Sequence, residues 1–278
     1  MNRPFFLVLL FISFTSLAQQ EKLGNPISEI TIEGLDLVSL DTRDQIFASS
    51  TSGDIYQFSE KGKQLNLFSP ARQGRLQQLE ASWTVNIFSF SEDLQEYRIL
   101  DRFLKQLTEN SFLQTDINLA KAATLGNNNI VWVWDESDLS LKILDYRRNL
   151  VTQSQPLNLI LNLGQVEVLE IREFKNRLFM NVEGEGIFIF DNQGNFIEKI
   201  SLITKQRMCF YKEHLLWVEN TQLNAISISD NQVSTLIDEL PSTFEFLQIG
   251  QEKLVLKSKG KLTLYPIPSW LKSFPVNE

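Results

Sequence analysis

A chain of 278 residues, 43% hydrophobic and 22% charged with only 12 Gly and 8 Pro, carries enough apolar material for a core and is neither disordered nor collagen-like. Its 34 acidic residues outnumber 26 basic ones, a net charge of −8 that repels phosphate backbones and excludes nucleic acid as a natural partner. One cysteine and one histidine exclude an intramolecular disulfide and a multi-histidine metal site.

The chain opens on Met1-Asn2-Arg3-Pro4, then an apolar run from Phe5 to Phe14 broken only by Ser13, then Ser16-Leu17-Ala18. One positive charge, a short apolar stretch and small residues three and one positions before Gln19 form the pattern of a secretory signal. A ten-residue helix spans about 15 Å, half of the ~30 Å hydrocarbon core, so the run is too short for a membrane anchor. No cysteine ends the signal to carry a lipid. The expectation is a bacterial periplasmic or secreted protein cleaved near Ala18, with residues 19–278 as one domain and no transmembrane anchor. Losing Arg3 leaves 25 basic against 34 acidic residues, a net charge of −9.

From residue 27 onward the hydrophobic period is close to two, as in strands. Ile27–Ile32 is a first strand without evident partners. Sets of strands follow: Ile46–Ser49 with Asp54–Phe58 and Gln64–Phe68; Val85–Phe90 with Tyr97–Leu100; Ile130–Trp134 with Leu141–Asp145. Next come Val166–Phe174, Arg177–Val182, Gly186–Phe190 and Asn195–Leu202, then Leu215–Val218 with Leu223–Ile228, and Leu254–Leu256 with Leu262–Tyr265. Asp101–Leu113 carries a marginal helical pattern through Phe103, Leu104 and Leu107, and reads as a strand end plus a helical or irregular insertion. Aligning Ile55, Ile99, Ile143, Ile187, Asn224 and Leu262 gives a repeat of about 40 residues, the length of a propeller blade of four short strands. The expected fold is therefore all-β: a single β-propeller, six blades of four antiparallel strands. The sixth set stops after three strands, so Ile27–Ile32 should close it and remove the open edges. A β-sandwich or solenoid is the competing architecture.

The segment Ile187-Phe188-Ile189-Phe190-Asp191-Asn192-Gln193-Gly194-Asn195-Phe196-Ile197 resembles the strand–Asp–x–x–Gly–x–Phe turn of six-bladed propellers of the NHL and TolB-like kind. Leu141-Lys142-Ile143-Leu144-Asp145-Tyr146 is a weaker echo without the glycine. The resemblance implies a fold and carries no active site with it.

No motif supplies a catalytic, cofactor or metal centre. Cys209 and His214 fall on a strand and its following turn, with nothing to activate either. Gly184-Glu185-Gly186 joins two strands, so it cannot cradle phosphate at a helix start. Asp191–Asn195 lacks the alternating carboxylates of a calcium loop. Trp83, Trp132, Trp134 and Trp217 lie mid-strand and suit packing between blades, with sugar or peptide platforms as the alternative.

Charge concentrates in one class of turn. The loops between second and third strands carry Glu92 and Asp93; Asp135, Glu136 and Asp138; Glu183 and Glu185; and Glu219. The sixth set instead has Lys257, Ser258, Lys259 and Gly260. This predicts an acidic arc interrupted by lysines on one rim, able to steer a cationic partner or to bind divalent ions weakly. The leading functional expectation is a non-enzymatic binding or scaffolding protein of the cell envelope that engages a protein or polymer through that rim. The alternative is a sugar or lactone hydrolase or lyase using channel carboxylates among Glu80, Glu167, Glu170, Glu213 and Glu245. A carbohydrate-binding lectin comes third. No cofactor is expected.

Overall fold

A computed structural model describes residues 22–81, 86–161 and 166–272. The signal segment, Trp83 and Val85 lie outside the described residues. Within them, β1 (Ser28–Thr31) precedes five complete four-stranded sheets. Blade 1 is β2 (Leu35–Leu40), β3 (Ile46–Ser50), β4 (Ile55–Phe58) and β5 (Gln64–Phe68). Blade 2 is β6 (Gln78–Glu80), β7 (Asn86–Ser91), β8 (Glu96–Asp101) and β9 (Gln106–Ser111). Blade 3 is β10 (Ala120–Leu125), β11 (Ile130–Asp135), β12 (Ser140–Asp145) and β13 (Leu150–Pro156). Blade 4 is β14 (Val168–Phe174), β15 (Arg177–Val182), β16 (Gly186–Phe190) and β17 (Phe196–Ile200). Blade 5 is β18 (Cys209–Tyr211), β19 (His214–Glu219), β20 (Gln222–Ser227) and β21 (Val233–Ile237). Blade 6 is β22 (Phe246–Ile249), β23 (Lys253–Ser258) and β24 (Lys261–Pro266), completed by β1. The chain is a single six-bladed β-propeller. All six residues that set the sequence repeat fall in the third strand of their blades.

Blade packing explains the composition of the strands. Each blade is sandwiched between two neighbours, so its middle strands are buried on both faces and read as continuous apolar runs. In β11, Trp132 and Trp134 pack toward blade 4 with Leu178, Met180 and Phe190. The alternate residues Val131 and Val133 pack toward blade 2 with Phe88, Phe90 and Tyr97. Six such clusters form among the described residues, one at each blade–blade contact. Trp217 belongs to the cluster between blades 4 and 5, which supports the packing role of the tryptophans. The fourth strands lie at the rim, and half-exposed leucines such as Leu67 and Leu150 mark that position.

The Asp101–Leu113 reading is corrected. Asp101 ends β8, residues 102–105 turn the chain, and β9 follows as the ordinary fourth strand of blade 2, ending in a 3-10 turn at Phe112–Gln114. The turn copies the one at Asp191. There Asp191 Oδ1 accepts the N–H groups of Gln193 and Asn195 at 2.8 and 2.9 Å, with Gly194 at φ +79°. At Asp101, Oδ1 accepts from Phe103 and Lys105 at 2.8 and 2.9 Å, and Leu104 takes the left-handed conformation at φ +62°. Leucine at the glycine position hid the turn.

Ring closure follows the sequence expectation. β1 pairs with β24 in antiparallel register, Ser28 opposite Leu264 and Ile30 opposite Leu262. Ile27 N–H adds a 2.7 Å bond to Leu264 O. No helix of the described residues is long and apolar enough to cross a membrane.

Candidate functional site

The antiparallel order within each blade sends the first-to-second and third-to-fourth turns to one face of the disc. The second-to-third turns and the inter-blade connections go to the other. All eight carboxylates of the predicted arc therefore belong to one class of turn on one face, but they do different things there. Asp135 is fully buried. Its oxygens accept the N–H groups of Asn118, Leu119 and Ser137 at 2.9–3.1 Å and pair with Lys142 Nζ at 2.7 Å. Burial would raise its pKa, yet Lys142 and the Ser137 and backbone donors prevail and hold it at about 2. Asp138 shares Lys142 at 2.8 Å, Glu185 pairs with Lys199 at 2.9 Å, and Glu219 accepts from Trp217 Nε1 at 3.5 Å. Asp93 is exposed at its turn. Of the basic interruption, Lys257 lies buried, paired with Glu245 and 5.3 Å over the Phe246 ring, while Lys259 is exposed.

Glu92 and Glu136 come together, and Glu167 links them to Glu183. Glu92 and Glu136 line a cleft of about 530 Å³ across blades 2, 3 and 4, together with Gln77, Lys121, Glu167 and the apolar side chains of Leu139, Val166, Val168 and Leu169. Lys121 stands between the first two carboxylates, 2.6 Å from Glu92 and 3.8 Å from Glu136. The Glu92 bond holds its ammonium above the ordinary lysine range. Glu167 reaches toward Glu183, which pairs with Lys205. Two carboxyl groups in hydrogen-bond contact cannot both hold a full charge without repulsion. Glu167 is accordingly pushed up by Glu183, and Glu183, next to Lys205, is pushed down. Four carboxylates thus meet two ammonium groups around an apolar floor.

Gln77, Lys121 and Lys205 were not singled out from the sequence, and Glu167 was named only as a channel group. They lie on inter-blade connections or, for Lys121, at the start of an inner strand. Only the ring arrangement brings those segments beside the second-to-third turns.

The channel carboxylates separate. Glu80 and Glu170 are buried near the axis with Arg172. Thr124 Oγ1 donates to Glu80 at 2.7 Å, and Gln78 Nε2 donates to it too. The Met208 N–H donates to Glu170 at 2.7 Å. The free space beside Glu170 is about 10 Å³, room for about one water and none for a sugar ring. Glu213 pairs with Lys175 on the opposite face, and Glu245 with Lys257. Cys209 is buried and its thiol is pushed up to about 12, which leaves it unreactive. His214 is the first residue of β19 and not part of the turn, and its burial lowers its pKa. Among the described residues no group of three His, Cys, Asp or Glu could hold a metal ion.

Comparison with family profiles and with curated proteins finds no match. Solved structures do match over nearly the whole ring. The β-propeller domain of Cps50 (Swd1) from Myceliophteria thermophila superposes with a TM-score of 0.60 at 10% identity, over 88% of this chain and 99% of that one. The WD40 domain of Pan2 from Neurospora crassa gives 0.59 at 8% identity, over 93% and 100%. BamB from Moraxella catarrhalis aligns over 83% of this chain and 70% of its own at 10% identity, with a TM-score of 0.43. At these identities the likeness establishes the propeller fold and reaches no subtype within it.

Proposed function

We propose that this chain is a non-enzymatic binding propeller of the bacterial cell envelope that holds a cationic segment of a protein partner in the cleft across blades 2, 3 and 4. The observation that carries the reading is the composition of that cleft. An apolar floor of Leu139, Val166 and Val168 lies among Glu92, Glu136 and Glu167, with Glu183 beside Glu167, and Lys121 and Lys205 only partly balance their charge. A lysine or arginine entering there would replace the strained Glu167–Glu183 contact with a charge-assisted hydrogen bond, while its alkyl stem packs on the floor. Recognition loops on a rigid repeat frame are a common way for such scaffolds to bind. Export is supported by the signal-like composition of residues 1–18.

The test places a photo-crosslinking residue at Leu139 in the full-length protein in its native cell. One partner should be captured there, and should be lost when Glu136→Lys and Glu167→Lys are combined. The same partner should survive a Glu60→Lys change in the blade 1 turn. Capture that survives the double charge reversal, or no capture at Leu139, would overturn the proposal.

A further inference from the structure

On the opposite face the channel ends in a smaller hollow, formed by the first-to-second turns of blades 1, 4, 5 and 6. It encloses about 210 Å³. That is below the ~300–1,000 Å³ of sites for drug-sized ligands, so it accommodates one side chain or one small acid. Its wall is aromatic. Phe174 and Phe210 stack with ring centres 4.5 Å apart and planes 12° from parallel. Tyr211 stands beside them with Lys212 Nζ 5.6 Å over its ring, and the same ammonium donates to Lys272 O.

The floor is polar and held in place. Arg172 and Gln248 are 6% and 5% exposed and both line the hollow. Arg172 Nη1 donates to Met208 O at 2.9 Å, and Gln248 Nε2 reaches the same carbonyl at 3.4 Å. Both side chains form the base of the cavity, and one of them is a permanent cation.

The base of the hollow is cationic, although Asp44, held by the Gln251 and Glu252 N–H groups at 2.7 and 2.9 Å, stands behind its Gly250–Gln251 wall. Asp41 is the one carboxylate in its lining, and its Oδ1 is turned onto the Arg43 and Gln45 N–H groups, 2.8 Å each. Lys175 is paired with Glu213. Beneath the floor Arg172 and Arg207 face Glu170 and Glu80. Burial lifts Glu80 to about 7, so at neutral pH it carries only part of a negative charge.

We propose that this hollow binds a carboxylate carried on an apolar or aromatic stem. The carboxylate meets Arg172 and Gln248 at the floor, the stem packs on Phe174 and Phe210, and Lys212 stands over the entrance. An acidic side chain of a peptide and a free aryl acid present the same chemistry, and the probes below separate them. The site lies on the opposite face from the acidic cleft, has the opposite polarity and does not depend on it.

The experiment is ligand-observed NMR on the mature protein with sodium benzoate, benzamide and the peptide acetyl-Gly-Phe-Glu-Gly-amide. Benzoate should bind at least about tenfold more tightly than its neutral amide, the ratio expected when one charge-assisted contact is lost. Arg172 supports the channel, so Arg172→Gln could fail for structural reasons. Lys212→Glu lies at the mouth and should weaken benzoate about fivefold or more in a protein with an unchanged melting temperature. Phe210→Ala, which also loses its packing on Phe174 and Phe179, should melt lower yet remain folded at about 25 °C and weaken benzoate by a similar factor. Glu136→Lys with Glu167→Lys should leave benzoate binding as it is, which separates this site from the cleft. Peptide binding assigns the site to a protein segment; benzoate binding without peptide assigns it to a free acid. Equal binding of benzamide, indifference to Lys212→Glu, or no binding of any probe would overturn the proposal.

Discussion

Glu80 lies on the inner strand of blade 2, with its carboxylate at the centre of the molecule and beyond the reach of solvent. Burial raises its pKa from 4.5 to about 7; the Arg172 charge and the donors Thr124 and Gln78 offset part of that rise. The sign of the linkage follows. Between these two values the folded state holds a proton that the unfolded state has released, so the stability contribution is full below about 4.5 and is lost as pH rises through 7. A shift of this size corresponds to about 3 kcal/mol once the group is fully ionised. Glu80→Gln keeps an oxygen for both donors and removes the titration. The difference in urea-unfolding free energy between variant and wild type should grow by ~1–3 kcal/mol in favour of the variant from pH 5.5 to pH 8.5. A difference that stays constant with pH would show that Glu80 does not titrate in that window. Nothing in the sequence singled out this residue beyond its strand, because its burial is created by closing the ring and the Arg172 and Glu170 charges beside it come from blade 4, remote in the chain.

The turn between β8 and β9 shows where an element stops being legible. Blade 4 announces its equivalent through Asp191 and Gly194, the acceptor that ties the loop and the residue that turns left-handed without strain. Blade 2 keeps the aspartate and puts Leu104 where glycine belongs. The reason lies in packing. Leu104 is 5% exposed in the cluster between blades 1 and 2, beside Ile55, Ile87 and Leu100. A left-handed leucine costs about 1–2 kcal/mol, and deleting a buried leucine side chain costs about 2–5. Packing should therefore win: Leu104→Gly should destabilise by ~1–3 kcal/mol although it relieves the backbone. A stabilised variant in chemical denaturation would reverse that ranking. The acidic cleft was legible by the same measure and no further. Glu92, Glu136 and Glu183 sit in turns that the repeat predicts. Gln77, Lys121 and Lys205 join them only across blade boundaries that one chain's periodicity does not encode.

At the scale of the whole ring, the 40-residue period and the three-strand final set were enough to read both blade count and closure. What holds the ring shut is modest: a four-residue strand whose Ile30 packs with Val255, Leu262 and Leu264 between blades 6 and 1. Removing residues 22–32 takes away that pairing and exposes β24 as an open edge. Losing the burial of Ile30 and Ile32 alone should cost at least about 4 kcal/mol, a fall of ~10 °C or more in melting temperature for a chain of this size. Size-exclusion chromatography should show association through the bared edge. A monomer melting within ~3 °C of the intact protein would mean that the ring does not depend on its first strand. The closure also fixes a timetable. Five blades can each be assembled from a short stretch of chain soon after that stretch is made. The sixth needs Ser28, among the first residues of the ring to emerge, and Leu264, among the last. Throughout synthesis the opening strand must wait without its partner, so the slow, non-local step of folding falls at the very end of the chain's production.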